Sequence, residues 1–135
     1  MTLTLAIIGH LVGDYLLQND WMALNKKRHS FPCAIHCALW TAAVCFFTGW
    51  FSPLVVAVLF LTHFLQDRTT IIVWWMRLIG QHEFMRCDKI VTDHTPYIEA
   101  DKVLSIAPGL GPWSIIVVDN VWHILTLWAV WRFVA

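Results

Sequence analysis

The stretch FPCAIHCALWTAAVCFFTGW, residues 31–50, followed by PLVVAVLFLTHFLQDR, residues 53–68, decides the fold class of this chain. The first segment contains no Asp, Glu, Lys or Arg, and it has the length of about 20 residues that a helix needs to cross a bilayer. Gly49 to Ser52 predict a tight turn, and Pro53 suits the first position of the helix that follows. The sequence therefore predicts two antiparallel transmembrane helices.

The composition of the whole chain agrees with a membrane protein. Of the 135 residues, 59% are hydrophobic and 13% are charged, and the mean hydropathy is +0.63. A soluble domain carries about 25% charged residues. Nine basic and nine acidic residues cancel, so we expect no nucleic-acid partner. The four cysteines are expected to be free thiols, because three of them lie within one apolar stretch.

Two further apolar segments bring the predicted number of spans to four. The expected fold is all-α, a four-span transmembrane helix bundle that forms a single membrane domain over residues 1–135. The spans are placed at about 1–18, 31–50, 53–79 and 113–135. The third is longer than a bilayer requires, so its tail from Ile71 to Ile79 is expected to lie along the interface or to bend away.

Two polar connections, 19–30 and 80–112, join the spans on one side of the membrane. They hold most of the basic residues, and the positive-inside rule therefore places both loops in the cytoplasm and both termini outside a bacterial inner membrane. Thr95-Pro96 followed by Glu99 is typical of a helix start. The 80–112 loop is thus expected to be partly structured.

Ionisable residues inside the spans are costly and need a reason. They form three His/Asp pairs at i, i+4 and one further histidine, and each pair shares one helix face. Counted from the outer ends of the spans, all lie at depths of about 14 to 24 Å. Imidazole and carboxylate ligands at one level predict one or two divalent transition-metal ions, of which zinc suits the donor set best. The candidate ligands are His10, Asp14, His36, His63, Asp67, Asp119 and His123.

A metal centre of this composition predicts hydrolytic chemistry. One of Asp14, Asp67 and Asp119 would bridge two ions or act as a general base, and the sequence does not say which. Neighbouring polar residues are expected to orient ligands, to cap helices, to bind an anion or only to set topology: these are Gln18, Asp20, Lys26, Lys27 and Arg28. The alternative is a structural network of hydrogen bonds between helices. Cys33 and Cys37, beside His36, are expected to be small buried apolar residues.

The stretch HLVGDYLLQNDWMA, residues 10–23, with Lys26 after it, resembles the opening motif of a bacterial and phage membrane-protein family known only as a domain of unknown function. His36 and the two later His/Asp pairs are similar to polar positions of that family. The resemblance covers most of the chain outside the long loop and implies a small polytopic inner-membrane protein, often phage-encoded. The ligand spacing alone is similar to that of zinc-dependent phospholipase C and related zinc nucleases, which is an analogy.

We therefore expect a membrane-embedded, metal-dependent hydrolase, with a lipid or lipid-linked phosphoester of the cytoplasmic leaflet as its substrate. A proton- or metal-ion-coupled transporter is the alternative, and with four spans it would need a second copy, a homodimer. A third reading is a non-catalytic phage protein that binds a host partner through residues 81–111.

Overall fold

The computed structural model describes residues 3–81 and 112–135, which are helical and contain no strand. The expected helix start at Thr95-Pro96 and most of the 80–112 loop lie outside these residues. The helices are α1 (Leu3–Leu11, extended by the π-helical turn Val12–Leu16), α2 (Asp20–Asn25), α3 (Ser30–Thr48), α4 (Pro53–Arg68), α5 (Ile71–Leu78) and α6 (Pro112–Phe133).

The turn residues stop and start the helices as their chemistry dictates. Gly49 ends α3 with a left-handed φ of 75°, a conformation that costs glycine little. Pro53 is the first residue of α4, where its missing N–H is not needed. Asn19 caps α2 by accepting a hydrogen bond from the backbone N–H of Met22 at 2.9 Å. The cap is therefore Asn19, while Asp20 is the exposed first residue of α2.

Four spans are not confirmed. Two described helices, Ser30–Thr48 and Trp113–Phe133, are long and apolar enough to cross a membrane, and α4 with α5 makes a third if the two count as one broken span. The predicted third span is thus interrupted after Arg68. The first segment is a shorter apolar helix, Leu3–Leu16, which extends about 21 Å against a hydrocarbon core of about 30 Å.

The chain divides into two compact units, Met1–Thr70 with Val121–Ala135, and Ile71–Asn120. The first has an apolar core in which Trp40, Leu59 and Leu127 are the largest side chains. In the described part of the second, Ile72 and Met76 are buried on one face of α5. All the contacts of the candidate site described below lie within the first unit.

Two glycines allow α1 and α3 to approach each other closely. A Cβ at Gly9 would lie 2.7 Å from the Cα of Val44, and one at Gly13 would lie 2.7 Å from Cδ1 of Trp40. The G-x-x-x-G pattern in residues 9–13 is therefore a packing face, which is a common use of small residues in membrane helices.

We predict that Gly9→Ala destabilises the protein by about 1–3 kcal/mol. Alanine favours helix by about 1 kcal/mol over glycine, but the added methyl meets the backbone of α3, which cannot rotate away. Thermal unfolding in detergent is the measurement. Thr4→Ala, on an exposed position of the same helix, is the control and should leave the midpoint unchanged. Equal midpoints for both variants would contradict close packing at Gly9.

Candidate metal centre

Four polar side chains from three helical segments meet inside the first unit. His36 comes from the buried face of α3, which also carries Cys33, Cys37 and Trp40. His63 and Asp67 lie one turn apart on α4 and are both 1% exposed, while Asp14 comes from the π-helical turn after α1. The helical periodicity of each segment thus directs its polar residues towards one point.

The ligand atoms of Asp14 and Asp67 each lie close to the Nε2 atoms of both His36 and His63. Asp14 Oδ1 lies 3.3 Å from His36 Nε2 and 3.6 Å from His63 Nε2. Asp67 Oδ2 lies 3.0 and 3.5 Å from the same two nitrogens, which are themselves 3.1 Å apart. A tetrahedral ion with ligands at about 2.05 Å separates them by about 3.3 Å. The five measured distances, 3.0 to 3.6 Å, lie on both sides of that value.

The cluster is buried, and several of its atoms have no hydrogen-bond partner. His36 is fully buried, and the side chain of Asp14 is 13% exposed. Among the described residues, Oδ1 of Asp14, Oδ1 of Asp67 and the Nδ1 atoms of His36 and His63 make no hydrogen bond. Buried polar atoms without partners are rare in native structures and call for an explanation. A bound cation on the carboxylate oxygens is one such explanation.

Lys26 brings a positive charge to the same carboxylate. Its ammonium donates a hydrogen bond of 2.9 Å to Asp67 Oδ2 and is 16% exposed. The neighbouring Lys27 donates to the carbonyls of Gln66 and Thr69 at the end of α4, each at 3.1 Å. Lysine next to the carbonyl end of a helix is favourable, since the last carbonyls lack helical partners. Lys26 and Lys27 thus form hydrogen bonds within the protein, whereas Arg28 is exposed.

The end of α4 in turn holds the loop that carries these lysines. The Arg68 guanidinium donates to the carbonyl of Lys27 at 2.8 Å and to that of Arg28 at 3.3 Å. Hydrogen bonds therefore connect the loop between α2 and α3 with the last turn of α4, and each segment donates to the other. These bonds hold the Lys26 ammonium beside Asp67.

Trp40 forms the aromatic wall of the cluster. Its ring stacks on His63 with centroids 4.0 Å apart, and its indole N–H donates to His10 Nδ1 at 3.0 Å. His10 Nδ1 is also 3.3 Å from Asp14 Oδ2. Because the indole is a donor only, His10 Nδ1 serves as an acceptor, and His10 is absent from the groups whose ligand atoms converge in the described chain. His10 therefore borders the centre through Trp40.

His123, on α6, reaches the cluster from the opposite end of the sequence. Its ring lies 4.3 Å from that of His63 and 5.5 Å from that of His10 between centroids. Its Nε2 atom is 3.9 Å from Asp67 Oδ1. Asp67 thus directs one oxygen towards His36 and the other towards His123. Asp119 lies one turn before His123 on α6, is partly buried, and belongs to the second unit.

His63 and Asp67 lie closer to the end of their helix than the predicted span 53–79 indicates. Asp67 precedes Arg68, the last residue of α4, and His63 is about 8 Å from that end at 1.5 Å per residue. His36 is about 9 Å from Ser30, where α3 begins. The break after Arg68 causes the difference, since the expected third span continues to residue 79.

Sequence reasoning named Lys26 as an anion-binding candidate and Cys37 as a small buried residue, but it missed their contacts with the centre and did not name Trp40. The ion pair of Lys26 joins residues 41 positions apart, and no local pattern announces such a contact. Trp40 and Cys37 share the buried face of α3 with His36, so helical spacing alone identifies them as neighbours. Of the other candidates, Gln18 has a buried Oε1 without a hydrogen-bond partner.

Comparisons of the chain with protein-family models, with curated proteins and with solved structures find no match. The fold and the geometry of the cluster are thus the basis for any functional proposal.

We predict that Lys26→Met destabilises the metal-free protein by about 3 kcal/mol, because it leaves the buried Asp67 carboxylate without its ammonium partner. Unfolding in detergent after treatment with a chelator measures the effect. Arg28→Met removes an exposed cation of the same loop and should change stability by less than about 0.5 kcal/mol. In a Lys26→Met/Asp67→Asn double variant, the loss should be smaller than the sum of the single losses. Additive losses would show that the ion pair is not a stabilising unit.

Proposed function

We propose that this protein is a membrane-embedded, metal-dependent hydrolase whose ion is held by His36, His63 and Asp67. The observation that carries the proposal is the spacing of their ligand atoms, 3.0 to 3.5 Å, with Asp14 Oδ1 a further 3.3 Å from His36 Nε2. Catalytic zinc sites have three protein ligands, often two histidines and a carboxylate, and one position for water. Asp14, beside both histidines, is suitably placed to act on that water.

The two carboxylates of the cluster have different roles in this proposal. Asp67 is 1% exposed and paired with Lys26, so it is held in place as a ligand. Asp14 is 13% exposed and lies in a π-helical turn, a distortion that is frequent at functional sites. A bound divalent ion would supply Lewis acidity. Asp14 would accept the proton of the attacking water as general base.

Lys26 suits a phosphoester substrate. An ammonium beside a metal ligand attracts an anionic group and stabilises the negative charge that develops during phosphoryl transfer. The exposed Arg28 adds a second cation at the entrance to the loop. Lys26 is therefore assigned to the phosphate group, with Lys27 acting instead at the end of α4.

The substrate class follows from the membrane setting. Large apolar side chains, among them Leu16, Phe31 and Phe46, are 70% exposed or more, as expected of helix faces in contact with lipid. A site close to the loop ends of α3 and α4 is within reach of lipid headgroups. We therefore propose a lipid or lipid-linked phosphoester of the cytoplasmic leaflet as the substrate, and zinc as the ion. The proposed topology has four spans in a bacterial inner membrane, with both termini outside. The phage-family resemblance is part of the same proposal.

One observation favours an ion carrier as the second candidate. The helix break at Thr69 and Thr70 begins two residues after Asp67, and discontinuous helices next to ionisable residues are typical of transporters. In such a protein the cation would exchange with the Lys26 ammonium on Asp67. The carrier would use the same metal-binding residues as the hydrolase, but it would move the ion across the membrane instead of keeping it for hydrolysis.

We predict that the purified chain binds a divalent transition ion and that His63→Ala or Asp67→Asn lowers its occupancy at least tenfold. Loss of a direct ligand should cost at least as much as the roughly 10–100-fold seen for outer-shell partners. Metal analysis by mass spectrometry measures it. His29→Ala, an exposed histidine before α3, is the control and should bind like the wild type. A wild-type chain that takes up neither Zn²⁺ nor Co²⁺ would contradict the proposed centre.

We further predict that Asp14→Asn lowers the kcat for a phosphoester lipid by about 10²–10⁴-fold, the usual contribution of a general base, while the metal stays bound. The assay uses lipid phosphomonoesters, phosphodiesters and pyrophosphates in detergent micelles with Zn²⁺-loaded protein. Asp20→Asn, the exposed carboxylate that begins α2, is the matched control. If the wild type hydrolyses none of these lipids but moves Zn²⁺ or protons into proteoliposomes, the carrier replaces the hydrolase.

A further inference from the structure

The side chain of Cys37 belongs to the ligand cluster. One ligand atom each of Cys37, His63 and Asp67 lies within 4.8 Å of the other two, and all three residues are buried. Cys37 itself is 0% exposed, and it lies next to His36 on α3. The thiol is therefore an inner member of the centre, separate from the apolar residues that surround Cys45 in the core.

Two buried atoms of the residues grouped with Cys37 have no hydrogen-bond partner within the described part of the chain. Asp67 Oδ1 and His63 Nδ1 have no hydrogen-bond partner among the described residues, although both residues are 1% exposed. Cys37 makes one recorded sulfur contact, to Cys33 Sγ at 3.9 Å, and a thiol is a weak hydrogen-bond donor that does not satisfy such atoms. A cation that binds the Cys37 thiolate and the Asp67 carboxylate together would compensate that carboxylate.

We propose that Cys37 is a metal ligand of this centre and that the resident ion is therefore thiophilic, such as Zn²⁺, Co²⁺ or Cd²⁺, rather than Mg²⁺ or Mn²⁺. The inference rests on the proposed metal centre and specifies its ion. Thiolate selects soft and borderline ions, whereas carboxylate and water suit the hard ones. The thiol proton is released to solvent when the metal–sulfur bond forms, as is usual when cysteine binds zinc.

The geometry requires a modest contraction. With a metal–sulfur bond of about 2.3 Å and metal–nitrogen and metal–oxygen bonds of about 2.0–2.1 Å, tetrahedral neighbours lie about 3.6 Å apart. The ligand atoms of Cys37, His63 and Asp67 lie within 4.8 Å of one another, so they would have to approach by at most about 1.2 Å. The group of Cys37, His63 and Asp67 shares His63 with the group of Asp14, His36 and His63. In this inference Cys37 takes the place of His36 beside His63 and Asp67. The ion then has three protein ligands, a fourth position stays open for water, and Asp14 is free to act on that water.

Cobalt substitution tests the proposal directly. The full chain, purified in detergent with its thiols reduced by a phosphine and Cys87 changed to Ser, is titrated with Co²⁺ alone. A sulfur-to-cobalt charge-transfer band in the near ultraviolet is expected, together with the visible bands of a four-coordinate ion. Cys37→Ser should abolish the charge-transfer band and retain the visible bands. Cys33→Ser, one turn away on the same helix, should retain both.

The outcomes separate this inference from the proposed function. Visible bands without a charge-transfer band in the wild type would overturn Cys37 as a ligand and leave the metal centre intact, whether or not the Cys37 variant folds. No cobalt binding at all would overturn both. X-ray absorption of the Zn²⁺ form provides the second measurement, since a sulfur neighbour at about 2.3 Å is distinct from nitrogen and oxygen neighbours at about 2.0–2.1 Å.

Discussion

The negative charge of Asp67, buried at the end of α4, is the constraint on which the rest of the site depends. A carboxylate that is 1% exposed is tolerated only when opposite charge and hydrogen bonds compensate it. Lys26 supplies the charge, and His36 adds a contact at 3.0 Å. Because Lys26 lies on the loop between α2 and α3, that loop has to meet the last turn of α4. The contacts of Lys27 and Arg68 follow from the same approach.

The charges of the cluster do not balance with Lys26 alone. Asp14 and Asp67 bring two negative charges to the paired imidazoles, against one ammonium. The Nε2 atoms of His36 and His63, 3.1 Å apart, need either a proton or a cation between them, since two lone pairs repel each other. A protonated imidazole or a bound cation would also compensate the second carboxylate charge. In a structural network or a proton carrier, a proton lies between these two nitrogens. In a metal centre, a metal ion takes its place.

The sequence indicated the helical class, the turn before Pro53 and the polar residues that meet in the cluster, because each of these leaves a local or periodic signal. The break after Arg68 left no such signal, since apolar residues resume at Ile71 and hydropathy continues across Thr69 and Thr70. The partnership of Lys26 with Asp67 was also hidden, because it joins distant parts of the chain.

Packing and chemistry use the same residues in this bundle. Trp40 belongs to the apolar core, stacks on His63, and lies against Gly13, where a Cβ would be 2.7 Å from its ring. The close approach of α1 and α3 therefore places Asp14 and the wall of the site at once. A ligand that binds only the folded state stabilises it by about 2.7 kcal/mol at a hundred times its Kd. An ion bound by residues of three segments would thus contribute to holding together the helices that create its site.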